Sequence, residues 1–183
     1  MSDPFQYPGF KILSLFLHNP YEELHLKAVA RSSGVSPSTA KRFLEFYEEN
    51  GLVTKNKKAN LTLFKGNVES LPFRFLKLGV FTLEANPLFV HLKEAYPASS
   101  ITLYGSCARG EDAPDSDIDI LVIGKSAPRP DLTQYEKKLG KKVNLVTYTS
   151  AEWEEKASLD KAFYERVIVD GVAISVGVPV VAR

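Results

Sequence analysis

The chain has 183 residues, of which 44% are hydrophobic and 25% are charged, enough apolar material for one domain or two small ones. Its single cysteine, Cys107, excludes an intrachain disulfide and a cysteine-rich zinc site. No apolar run is long enough to span a membrane and the N-terminus has no signal-peptide pattern, so we predict a cytoplasmic protein without a membrane partner.

The charges divide unevenly along the chain, although the net charge is only +1. Residues 1–66 carry nine Lys/Arg against six Asp/Glu, whereas residues 67–183 carry fourteen against sixteen. This asymmetry predicts two parts with different tasks. We therefore expect a first domain over residues 1–66, a helical linker over 67–86 and a second domain over 87–183.

The first part of the chain predicts three helices followed by a two-stranded hairpin. The helices are expected over residues 10–17, 26–33 and 36–50, and the strands over 52–54 and 61–64, around a basic loop at 55–60. Ser36 is a good N-cap for the third helix, Pro37 suits its first position, and Gly51 stops it.

Helix, turn, helix and basic hairpin resemble the winged helix-turn-helix domains of prokaryotic transcription regulators. The resemblance implies that the third helix enters the major groove of double-stranded DNA while the hairpin contacts phosphates. The candidate DNA-binding residues are Ser38, Thr39, Lys41, Arg42, Lys55, Lys57 and Lys58. Glu45, Glu48 and Glu49 on the same helix repel a phosphate backbone, so a protein-contact role for this domain stays open.

The linker over residues 67–86 predicts a helix rather than a flexible joint, because it is apolar and poor in glycine and serine. Leu71, Phe75, Leu78 and Leu83 recur at helical spacing, which fits packing between domains or against a second copy. A homodimer is thus a further hypothesis. Another helix is expected from Pro87 to residue 96.

The second domain centres on a glycine turn followed by two aspartates. Residues 101–104 predict a buried strand that runs into Gly105, where a backbone can approach a ligand closely. The amides of Ser106 and Cys107 open a helix whose N-terminus attracts anions, and Arg109 adds a cation. Asp117 and Asp119 are expected on the same side of a second strand. Their oxygen-only chemistry suits Mg²⁺ or Mn²⁺.

The pattern Gly-Ser-x-Ala-Arg-Gly followed by Ser-Asp-Ile-Asp-Ile resembles the minimal nucleotidyltransferases of the DNA polymerase β superfamily, over roughly residues 87–176. The resemblance implies that Asp117 and Asp119 are catalytic and hold the metal. It also implies that Gly105, Ser106, Arg109 and Ser116 bind the phosphates of a nucleoside triphosphate. The competing interpretation is a solvated edge strand after an acidic turn formed by Glu111, Asp112 and Asp115.

One position departs from the family pattern. The superfamily usually carries a third carboxylate on the next strand, predicted here over residues 143–148, where this chain has Asn144. An amide holds a second metal less tightly and cannot act as a base. Glu152 or Glu154 could substitute, although no spacing places either of them at the site.

The sequence therefore predicts an α+β protein: an N-terminal winged helix of α-helices plus a β-hairpin, followed by a polymerase-β-like nucleotidyltransferase domain with a mixed β-sheet and flanking helices. The first functional hypothesis is transfer of a nucleotidyl group from an NTP to an acceptor, with release of pyrophosphate. Minimal nucleotidyltransferases are often antitoxins, so the resemblance makes a HEPN-type toxin a credible protein acceptor. The second hypothesis is an NTP-sensing transcriptional regulator without turnover, which Asn144 favours.

Overall fold

The computed structural model describes residues 6–181, and the chain divides into two units, Met1–Lys77 and Leu78–Arg183. The first unit contains the helices α1 (Pro8–His18), α2 (Leu26–Ser33) and α3 (Pro37–Glu49) and the strands β1 (Leu24–His25), β2 (Val53–Lys58) and β3 (Leu61–Gly66). The three strands form an antiparallel sheet in the order β1-β3-β2. Helix α3 begins as predicted, because the Ser36 side chain accepts a hydrogen bond from the Thr39 amide at 3.1 Å.

The hairpin differs from its prediction. Residues expected in a loop, Lys55 to Lys58, lie in β2, and only Ala59 and Asn60 form the turn. The strands stay paired to the end, with Lys58 opposite Leu61, because Ala59 adopts φ +53° and reverses the chain within two residues. The basic side chains therefore extend along a strand rather than around a loop tip.

Helix α4 (Leu71–Ala95) is one continuous helix where the sequence predicted a linker helix and a second helix starting at Pro87. A proline inside a helix removes a backbone hydrogen bond and costs about 3 kcal/mol. Ala85, Leu88 and Leu92 on the same helix are fully buried, and their burial offsets that cost. Pro87 itself is exposed.

The second unit is built on a mixed four-stranded sheet in the order β6-β5-β4-β7. Its strands are β4 (Ser100–Tyr104), β5 (Ile118–Ile123), β6 (Val143–Tyr148) and β7 (Val172–Ala173), and its further helices are α5 (Gly105–Arg109), α6 (Thr133–Leu139), α7 (Ser150–Leu159) and α8 (Lys161–Asp170). Strands β5 and β6 run parallel, and β4 is antiparallel to both of its neighbours. The predicted fold class, α+β with a mixed sheet, is confirmed.

Strand β5 separates two apolar clusters because its side chains alternate between the faces of the sheet. Ile118 and Ile120 join the buried residues of α4 on one face, while Leu121 packs with Trp153 on the other. Asp119 lies on the face of Leu121, at the start of the strand. The fold thus places this carboxylate at the end of the sheet, beside α7 and α8. Among the helices of residues 6–181, none combines the length and apolarity needed to cross a bilayer.

Candidate functional site

A cavity of about 170 Å³ opens at the end of the second sheet where β4 gives way to α5. It is lined by Tyr104, Gly105, Arg109, Asp119, Phe163, Arg166 and Asp170. The structure thus brings together three of the predicted site residues, Gly105, Arg109 and Asp119. The remaining four come from the end of β4 and from α8.

Gly105 is required at the turn for two reasons. Its φ of +74° is unfavourable for residues with a side chain. A Cβ atom at this position would also collide with Oδ2 of Asp119. The carboxylate of Asp119 therefore lies directly against the backbone of the turn, and both residues line the same cavity.

Asn144 lies beside Asp119. The two residues are partners in the parallel pairing of β5 and β6, and Nδ2 of Asn144 donates a hydrogen bond of 2.9 Å to Oδ1 of Asp119. Asn144, where a third carboxylate was expected from the family pattern, therefore lies next to Asp119. A neutral donor stands there, so one carboxylate oxygen of Asp119 is fixed by the protein itself.

Asp117 and Ser116 lie outside the lining of this cavity. Asp117 is exposed and precedes β5, and its carbonyl oxygen accepts a hydrogen bond from the Cys107 thiol at 3.4 Å. The Ser116 hydroxyl accepts a hydrogen bond from the Ala113 amide at 2.9 Å, which closes the preceding turn. Ser106 lies in the first turn of α5, next to Gly105. These residues flank the cavity or shape its loops.

The loop before Asp117 is held by a buried ion pair that the sequence reasoning missed. Lys141 Nζ lies 3.2 Å from Oδ2 of Asp112, and the two side chains are 12% and 4% exposed. Lys141 also donates to the carbonyl oxygens of Ala113, Pro114 and Ser116. Asp112 belongs to the acidic turn of the competing interpretation, and Lys141 holds it in the interior. The two lysines before β6, Lys141 and Lys142, are evident in the sequence. Nothing in the spacing of residues indicates that Lys141 pairs with Asp112.

Arg109 lines the cavity and forms hydrogen bonds with two carboxylates. Its Nε donates to Glu111 at 2.7 Å and its Nη1 to Asp170 at 3.4 Å. The hydrogen bond to Glu111 is the main cause of a raised pKa of the guanidinium, and Asp170 acts in the same direction. Two carboxylates thus hold this arginine in place.

Two aromatic side chains form one side of the cavity. Tyr104 and Phe163 pack edge to face with ring centroids 5.6 Å apart. The Tyr104 ring lies on the face of Asp119, its partner across β4 and β5.

The Tyr104 phenol is expected to ionise with a pKa of about 12 rather than 10.0. Burial is the main cause, and the charge of Asp119 adds to it, while Arg166 acts in the opposite direction. Because the folded-state pKa is raised, the stability that the neutral phenol contributes is present below pH 10.0 and is lost as the pH rises towards 12. An NMR titration of ring-labelled tyrosine, assigned with Tyr104→Phe, measures this value, and a pKa near 10.0 would contradict the described burial.

The oxygens at the cavity suit a divalent ion that is held jointly with a substrate. Within residues 6–181 no three Asp, Glu, His or Cys side chains gather into a metal-binding group. Mg²⁺, however, is commonly bound by one or two carboxylates together with phosphate oxygens. Asp119, with Asp117 two residues before it, fits that donor set.

In the first unit the predicted DNA-binding residues lie on the surface, although several have partners there. Lys55 lies 3.1 Å from Glu48, Lys58 3.9 Å from Glu23 and Lys41 3.7 Å from Glu45. Arg42 stacks its guanidinium over the Phe43 ring at 5.3 Å. Ser38 and Lys57 are exposed, and Thr39 is half-buried. Exposed ion pairs of this kind are weak, so these lysines remain available to phosphates.

Comparisons with known proteins give a family match within each of the two units. Residues 90–169 match a family model described as a nucleotidyltransferase domain, and residues 9–57 match one described as an IclR helix-turn-helix domain. A curated relative from Methanocaldococcus jannaschii, named "Putative protein adenylyltransferase", is 44% identical over 66 residues. The alignment covers 32% of this chain and 66% of that protein, so the chain spans just under two thirds of the relative's length.

Proposed function

We propose that this chain, whose residues 90–169 match the model of a nucleotidyltransferase domain, transfers a nucleotidyl group from an NTP to an acceptor hydroxyl in a reaction that needs a divalent metal. Its residues 9–57 match the model of an IclR helix-turn-helix domain. One observation carries the proposal: Asp119 packs directly against the Gly105 turn, in a cavity that also contains two arginines.

In the proposed reaction, the residues around the cavity have different roles. The backbone at Gly105 and Ser106 lets the phosphates approach closely, and arginine side chains offset their charge. Asp119 and Asp117 would hold Mg²⁺ or Mn²⁺, which when bound neutralises charge on the phosphates. The acceptor oxygen forms a bond to the α-phosphorus, and the bond to the bridging oxygen of pyrophosphate breaks. The hydroxyl proton is released to solvent, because Asn144 offers no acid–base group at the site.

We propose ATP as the donor and a protein hydroxyl as the acceptor. The name of the archaeal relative, which describes adenylyl transfer to protein, supports both choices. The resemblance to minimal nucleotidyltransferases adds a HEPN-type toxin as the acceptor class, with this chain in the antitoxin role.

The experiment incubates the protein with α-labelled ATP, CTP, GTP or UTP and Mg²⁺ or Mn²⁺, alone and with cell extract. Pyrophosphate release and a labelled protein band are the expected result, with ATP as the best donor. Measurable NTP binding without any labelled acceptor under all conditions would contradict transfer.

That negative outcome would favour a second function, an NTP-sensing regulator. The observation behind it is the hydrogen bond from Asn144 to Asp119, since a neutral amide stands where a metal-binding carboxylate would be expected. Under this alternative Asn144→Asp creates or raises transfer activity. An active native chain that the substitution slows would exclude the regulator.

We propose that the winged helix binds double-stranded DNA and regulates transcription, with Lys57 and Lys58 on β2 contacting phosphates. The double substitution Lys57→Ala/Lys58→Ala is expected to weaken DNA binding and to lower the slope of log K against log salt by about two, since each phosphate contact contributes about 0.9. Fluorescence anisotropy at several salt concentrations measures this change, and Lys11→Ala on α1 is the control. Unchanged, salt-insensitive binding would instead indicate a protein-contact module.

Homodimerisation is a further proposal, supported by two apolar side chains of α4 that are largely exposed. Leu71 is 56% and Phe75 64% exposed. Exposed apolar side chains of this size often lie at protein interfaces. Analytical ultracentrifugation measures the association state of the native chain and of Phe75→Ser, and the substitution is expected to weaken the dimer. A native chain that stays monomeric at high concentration would refute the proposal.

A further inference from the structure

Helix α8 supplies one wall of the cavity through a single face. Phe163, Arg166 and Asp170 are three and four residues apart, so they lie on the same side of the helix, and all three line the cavity. The neighbouring side of the helix is anchored in the core by Tyr164 and Val167, which are 6% and 1% exposed. The orientation of α8 is therefore fixed by packing, and its cavity face is rigidly presented.

The two arginines of the cavity differ in their surroundings. Arg109 is bound by Glu111 and Asp170, so its positive charge is already balanced by two carboxylates. A phosphate that used Arg109 would have to compete with both of them. Because Asp170 lies on α8 and Arg109 on α5, this ion pair joins the turn helix to the wall of the cavity.

Within residues 6–181, Arg166 forms no comparable ion pair with a carboxylate. Its one hydrogen bond there runs from Nε to the carbonyl oxygen of Ala162, at 3.3 Å, and stays within its own helix. Its side chain is exposed and lines the cavity together with Tyr104, the neighbour of Gly105, and its charge partly opposes the rise that burial causes in the pKa of Tyr104. The terminal nitrogens of the guanidinium are thus available to a ligand on the side of the cavity where Asp119 lies.

We propose that Arg166 is the cation that binds the phosphate groups of the nucleotide, and that Arg109 is a positioning residue that ties α5 to α8. This inference rests on the proposed function, because it assumes that a nucleoside triphosphate occupies the cavity. It replaces the assignment drawn from the sequence motif, in which Arg109 contacted the phosphates. The reason is electrostatic: Arg109 forms hydrogen-bonded ion pairs with two carboxylates, whereas Arg166 acts on Asp160 through its charge alone, which leaves its terminal nitrogens to an anion.

The test measures ATP binding by isothermal titration calorimetry with Mg²⁺ and again in EDTA. Arg166→Gln is expected to weaken ATP binding about 10- to 100-fold, the loss for a hydrogen-bonded ionic contact. Binding of adenosine should change by less than about twofold, because adenosine has no phosphate for the arginine to contact. Arg166→Lys should recover part of the ATP affinity. Lys161→Gln removes the same charge from the exposed side of α8 and is the matched control.

Arg109→Gln is expected to behave differently. It should lower the unfolding temperature of the second unit, because Glu111 and Asp170 lose their shared partner, whereas Arg166→Gln should leave that temperature unchanged. ATP affinity that persists in Arg166→Gln and is lost in Arg109→Gln would overturn the inference while leaving the proposed function intact. A native chain that binds no NTP at all would overturn both, so the two failures are distinguishable.

Discussion

Asp119→Asn is expected to lower the rate of nucleotidyl transfer on the order of 10³-fold without unfolding the domain. Asparagine has nearly the same shape as aspartate, so it still fits against the Gly105 turn. Its side-chain oxygen can still accept the hydrogen bond from Asn144 that the structure shows at 2.9 Å. What it loses is the negative charge that would hold a metal against the phosphates.

The measurement compares label transfer by the native chain and the variant under single-turnover conditions, with circular dichroism to check the fold. Asp115→Asn removes a charge from the exposed turn nearby and is the control, with an expected rate close to that of the native chain. Transfer by Asp119→Asn at the native rate would refute the assignment of this carboxylate to the reaction.

Lys141→Met is expected to give the largest loss of stability, about 3–5 kcal/mol, because it leaves the buried carboxylate of Asp112 without its cation. Methionine keeps most of the side-chain volume, so the effect reports charge rather than packing. The single tryptophan, Trp153, is fully buried in the same unit, and its fluorescence during urea unfolding follows that unit.

Lys142→Met is the matched control, since this neighbouring lysine is exposed and should cost little. Adding Asp112→Asn to Lys141→Met should restore part of the stability by removing the uncompensated charge. Equal losses in Lys141→Met and Lys142→Met would show that the buried pair does not stabilise the loop before Asp117.

The features predicted best from the sequence are those determined by neighbouring residues. The run from Gly105 to Asp119 identified the turn, the start of β5 and a carboxylate beside the glycine, because alternation and glycine chemistry act over a few residues. The strand that carries Asn144 followed from its apolar pattern. In the structure Asn144 is the partner of Asp119, because β5 and β6 pair in parallel.

The features that the sequence did not reveal depend on contacts between distant segments. Glu111, one partner of Arg109, lies two positions away, but the second partner, Asp170, lies 61 positions further along the chain and could not be inferred from local patterns. Arg166 lies on α8, and helical periodicity does not show which polar side of a helix meets a cavity. Pro87 argued for a helix boundary by a local rule, and the burial of Leu88 and Leu92 in the core overrode it.

The amide at position 144 also has a consequence for the protein when no cation is present. If position 144 carried a carboxylate, it would repel the carboxylate of Asp119 at hydrogen-bonding distance. A proton or a metal ion between the two would then be needed to hold them in a defined orientation. The hydrogen bond that Asn144 donates removes this requirement. We therefore expect this hydrogen bond to favour the same orientation of Asp119 in magnesium-poor and magnesium-rich surroundings.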